Sequence, residues 1–117
     1  RIMKTRLKLG VLYNGTLHHD VLVKILTVGG ECQALEVISD LGLSDKETLS
    51  TSEQMLIDLA YLAQQVEFDG IPREAVTPAF LLDNLATDDY VLINNEINQL
   101  RKKRMGVSES QETANKA

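Results

Sequence analysis

The chain of 117 residues has no tryptophan, one cysteine, two prolines and only 4% aromatic residues. A single thiol, Cys32, cannot close an intrachain disulfide, which fits a reducing compartment. Cys32 is read as a buried, inert side chain, because free cysteine behaves as a small hydrophobe. With so few rings, any core must come from Leu, Ile and Val. No apolar run is long enough to span a bilayer, so no membrane partner is expected. Residues 1–10 are basic and lack a long apolar centre, so no signal peptide is expected. Met3 is expected to be the natural first residue, and Arg1 and Ile2 stay outside the fold reading.

Chemical signatures are scarce as well. His18-His19-Asp20 is the one cluster that could serve catalysis or metal binding. Neighbouring strand residues point to opposite faces, so His18 and His19 cannot converge on one ion. His18 and Asp20 share a face, but two ligands do not make a structural zinc site. Surface polar residues are the expected role. Gly29-Gly30 lacks the spaced glycines and the Lys-Ser/Thr pair of a phosphate-binding loop, and reads as a flexible turn. No Ser-His-Asp, Cys-His or paired-carboxylate pattern stands out. No catalytic, cofactor-binding or metal-ligating residue is assigned, no cofactor is expected, and the chain is not expected to be an enzyme.

What the chain does have is charge, unevenly placed. Residues 1–30 carry five cations against Asp20, and residues 31–100 carry fourteen acids against Lys46 and Arg73. Residues 101–117 carry five cations against two acids. The net charge of −5 argues against free nucleic acid as a general partner. The run Arg101 to Arg104 suits the negative end of a helix, and could also meet an acidic protein partner.

One α+β domain over 3–105 is expected, with a tail at 106–117 too polar to fold. It starts with a β-hairpin over 5–26. Leu7, Leu9, Val11 and Tyr13 alternate with Arg6, Lys8 and Gly10, which marks a half-buried strand. Leu17, Val21, Val23 and Ile25 form the apolar face of a second strand, with His19 in line. Asn14-Gly15 lies between them. A two-residue turn would pair Val11 with His18 and oppose unlike faces. A three-residue loop, Tyr13-Asn14-Gly15, pairs Val11 with Leu17 and Leu7 with Val21. A bulged hairpin with Gly15 in the left-handed position is therefore expected.

Helices are expected at about 31–41, 52–67, 78–85 and 88–104. The first presents Cys32, Leu35, Ile38 and Val37 inward and stops at Gly42, with Leu43 folding back. The second organises the rest. Met55, Leu56, Leu59, Leu62, Ala63 and Val66 recur at helical spacing, opposite Gln54, Asp58, Tyr61 and Gln65. Ser50 with Glu53 reads as its capping box. Residues 71–76 form a loop with a helical turn. Thr77-Pro78 opens the third helix, and Thr87 is expected to cap the fourth, ahead of Asp88 and Asp89. A hairpin alone is marginal and has open edges, so it must pack on the helices, and an edge could accept a partner strand.

The order of these elements resembles the small tail assembly chaperones of long-tailed bacteriophages and prophages, including Mu-like phages. The resemblance runs over Lys4 to Arg104. It rests on the basic hairpin leading through Thr27-Val28-Gly29-Gly30 into a helix, then on Gly70-Ile71-Pro72-Arg73-Glu74-Ala75-Val76. Leu82 to Leu85 and Asp88-Asp89 before the last helix complete it. It implies a non-enzymatic chaperone of virion assembly, working in the host cytoplasm. Such a protein would bind the tape measure protein, could also bind the tail tube protein, and would assist tail tube assembly. The alternatives are a minor structural or adaptor protein of a phage tail, or a small bacterial regulatory binding domain.

Overall fold

Two residues, Asn14 and Gly15, connect the first strands, β1 (Ile2–Tyr13) and β2 (Thr16–Lys24). Both have positive φ, 50° and 77°, as in the primed turns whose twist matches a hairpin. The computed structural model describes residues 2–106. The expected three-residue loop is thus replaced by a plain turn, and Val11 pairs with His18 after all. The mismatch of faces is resolved inside β1. Arg6 pairs with Asp20 and Val11 with His18, so four β1 residues, 7–10, stand opposite His19 alone. A bulge of this kind resets which side chains face inward. Leu7 and Val11 are buried, while Leu9 is thrown out to solvent. Leu17 pairs with Leu12, not Val11, and stays exposed. Ile2 extends β1 by pairing with Lys24, so the strand starts before Thr5.

Four helices follow: α1 (Val28–Asp40), α2 (Thr51–Ala63), α3 (Pro78–Asn84) and α4 (Thr87–Arg104). A third strand, β3 (Val66–Phe68), pairs antiparallel with β2, giving the sheet order β1-β2-β3. The fold is α+β, as composition and periodicity indicated. Residues 64–68 correct the expected helix over 52–67. Val66 fits the helical stripe, but Val66 and Phe68 together fit a period of two, and pairing with the free edge of β2 decides for the strand. Lys24 and Asp69 N–H groups donate to the Gln65 and Asp20 carbonyls at 2.9 Å, extending the ladder at both ends.

Local signals set most helix ends. Thr27 Oγ1 accepts the Gly30 N–H, so α1 starts at Val28 and takes Gly29-Gly30 into its first turn, where a loop was expected. At its other end the Leu43 N–H bonds the Ile38 carbonyl and the Gly42 N–H that of Ser39, a Schellman closure that buries Leu43. Thr77 Oγ1 caps α3 through the Phe80 N–H. The fourth helix departs from expectation: Ala86 is its N-cap and Thr87 lies inside it. A 3₁₀ turn at Arg73–Ala75 supplies the short helical turn before α3.

The capping box of α2 is complete, with Ser50 and Glu53 each accepting the other's backbone N–H. Lys46 Nζ donates to the same Glu53 carboxylate. The Lys46 bond, then the Ser50 amide, hold this carboxyl below its ordinary value. A depressed folded value means the group stabilises the fold above the ordinary carboxylate range, and that share is lost as pH falls through the depressed value. Glu53→Gln is expected to flatten this acid-side loss. Urea unfolding at several values between about pH 6 and about pH 3 measures it, since linkage appears there as a slope. An unchanged slope in the variant would remove Glu53 from the account.

α2 lies between two apolar clusters. Leu59 and Leu62 join Leu7, Val11, Val21, Val23, Val66 and Phe68 from the sheet, Leu81 from α3, and Ile93, Ile97 and Leu100 from α4. Each such fully buried side chain contributes about 1.5–3 kcal/mol relative to exposure. Ala60, one position further round α2, packs with Ala34, Ile38 and Leu43, and Tyr61 is half-buried there. The inner face of α1 is therefore Ala34 and Ile38. Ile38 and the partly buried Val37 face inward as expected, but Cys32 and Leu35 are exposed, because small Ala34 takes the position packed with Ala60.

Candidate functional site

The β1 bulge gathers three consecutive amides, and one side chain holds all of them. Lys8 N–H donates to Asp89 Oδ1 at 2.7 Å, and the Leu9 and Gly10 N–H groups donate to Oδ2 at 3.1 and 2.9 Å. Asp89 lies in the first turn of α4 and is fully buried. Successive N–H groups in such a bulge form an anion-binding concavity, and the helix start also favours a negative charge. Gly10 has φ +84°, and a Cβ there would sit 3.0 Å from the His19 ring and 3.1 Å from the His18 carbonyl. Only glycine fits this close approach. Placing Asp88 and Asp89 behind Thr87 at the start of the fourth helix gave no hint of this role for Asp89. Gly10 inside an otherwise regular strand was the available signal for the bulge.

His18 and His19 do diverge, as strand alternation requires, and both are half-buried. His18 Nδ1–H donates to the Asp69 carbonyl at 3.0 Å, and His19 Nδ1–H to the Leu7 carbonyl at 3.2 Å. A carbonyl only accepts, so each ring carries its proton on Nδ1. Asp20 pairs with Arg6 at 3.7 Å. Tyr13 links the hairpin to α3, with its ring 6.1 Å from Phe80, edge-on, and 6.3 Å from His18. These three histidine-cluster residues thus fasten the hairpin rather than converge. Among the described residues no group of three or more His, Cys, Asp or Glu could hold a metal ion. Gly29-Gly30 is the capped start of α1.

The surface is more informative. Leu12 and Leu17 face one another across the hairpin and are 50% and 55% exposed. Direct cross-strand partners have Cβ atoms about 5 Å apart, so the two side chains form one apolar spot. Leu9 adds a third exposed leucine at the bulge. On the helical side, a groove of about 630 Å³ runs between α1, the end of α2 and the 3₁₀ turn, with Val37, Ala60, Ala63 and Val76 on its walls. The cations Arg101 to Arg104 occupy the last turn of α4, where the helix dipole favours them. No described helix is long and apolar enough to cross a membrane.

No family model matches this chain, and neither curated proteins nor solved structures yield a match.

Proposed function

We propose that this chain is a phage tail assembly chaperone that holds apolar surface of the tape measure protein while tail tube subunits assemble around it. The reading assigns the chain no chemical step and places it in the host cytoplasm. Its support is the order of elements, a basic hairpin followed by four helices, together with one surface observation. Leu12 and Leu17 stand side by side, half exposed, at the hairpin end. A stable domain that keeps paired leucines in water has a use for them as a contact for another apolar surface. Long helical partners expose apolar stripes until they are covered, and a soluble domain can cover them reversibly.

Co-expression with the tape measure protein of the same phage is the test. The expected result is a higher soluble yield of that protein and a complex that co-purifies. Leu12→Asp with Leu17→Asp is expected to abolish capture while the circular dichroism spectrum stays unchanged. Equal solubility with and without the chain, and no complex, would end the proposal. Stoichiometric presence in purified virions would identify a tail component instead.

A further inference from the structure

A second surface lies at the opposite sequence end of the domain. The segment between β2 and α1 meets the C-terminal turn of α4 in an open groove of about 400 Å³ lined by Ile25, Leu26, Val28, Arg101, Arg104 and Met105. Val28 is 80% exposed and Met105 66% exposed. These are the two most exposed large apolar side chains among the described residues, and both belong to this one groove. Arg101 and Arg104 are three residues apart on α4, so they lie on neighbouring positions of one helix face. Among the described residues neither guanidinium makes an ion pair.

We infer that this groove binds an acidic segment of a protein partner, with a carboxylate on Arg101 and Arg104 and an apolar side chain against Val28 and Met105. Guanidinium groups match carboxylates in geometry as well as charge, and their bidentate bonds fix orientation. Charge also selects the class of partner. Residues 31–100 carry fourteen acids against two bases, so a long polyanion or an anionic membrane would meet a repelling body beyond the groove. A short acidic segment is confined to the two arginines and the apolar pair. The inference stands apart from the tape measure reading, because it uses no residue of the hairpin end.

The experiment is a titration of the isotope-labelled full chain, followed by amide chemical shifts. The probe is a short synthetic peptide with leucines at helical spacing and glutamates elsewhere. Parallel titrations use its glutamine counterpart, phosphatidylglycerol vesicles and a DNA duplex. Saturable shifts are expected at residues 25–28 and 101–105 with the glutamate peptide, weakening as salt rises. Affinity is expected to fall about tenfold or more in Arg101→Glu with Arg104→Glu, whose circular dichroism should match the parent, because both charge contacts are reversed. Equal binding of the glutamine peptide, shifts confined to other residues, or tighter binding of vesicles or DNA would each overturn the inference. Concentration-dependent self-association through these residues would overturn it too. So would shifts of the same amides on removing residues 107–117 with no peptide present, which would assign the groove to the chain's own end.

Discussion

Asp89→Ala is expected to destabilise the domain by about 3–5 kcal/mol, the cost of removing one partner from a buried, charge-assisted network. Three amides lose their acceptor together, and two of the three bonds are only partly buried, so water can reach part of the gap. Asp89→Asn keeps the shape but loses the charge, and it turns one acceptor oxygen into a donor facing donors. Its cost is expected at about 2–4 kcal/mol. Urea unfolding gives the free energies. Amide exchange at Lys8, Leu9 and Gly10 locates the damage, with faster exchange there than in β3. A loss below about 0.5 kcal/mol for Asp89→Ala, the scatter usual at indifferent surface sites, would show that the bulge holds without its carboxylate.

Gly70→Ala is the second large expected effect, at about 2–4 kcal/mol, from two separable causes. Gly70 has φ +87°, a left-handed conformation that costs an L-residue about 1–2 kcal/mol. An added Cβ would also lie 2.6 Å from His18 Nδ1 and 2.7 Å from Cε1. The ring must move, and its hydrogen bond to the Asp69 carbonyl is lost with it, for about another 1 kcal/mol. A double-mutant cycle separates the causes. In a His18→Ala background the steric share vanishes and the backbone share remains, so the cost of Gly70→Ala is expected to drop by about half. Thermal or urea unfolding of the four proteins completes the cycle. Strict additivity would mean that the histidine swings aside freely.

Legibility in the sequence followed the range of the interactions. The helices were visible because their signals are local. Ser50 with Glu53, Thr77 before Pro78, and Gly42 before Leu43 each close a bond within a few residues, and each was found in place. Features decided across the fold were not. Val66 continues the helical stripe and also alternates with Phe68, and pairing with β2 makes the segment a strand. Cys32 was expected to face inward and is exposed, because the inward position belongs to Ala34, whose small side chain packs with Ala60 of α2. In the hairpin the conflict of faces was correctly identified but placed in the turn. Gly10 marks the place of the bulge, but its partner Asp89 lies 79 residues away, so the hairpin's own residues do not show what holds it. The paired leucines Leu12 and Leu17 were missed because a three-residue loop was expected, and the two-residue turn is what pairs them.

The link between Asp89 and the bulge spans 79 to 81 residues of chain. On the ribosome, the hairpin emerges long before the residue that completes it. Until α4 is made, the nascent strand presents three unclaimed amides and an unsettled register, the kind of edge that recruits other strands. A chain halted short of position 89 should therefore be sticky where the finished one is not, and the last helix acts as the quality seal on the first strand.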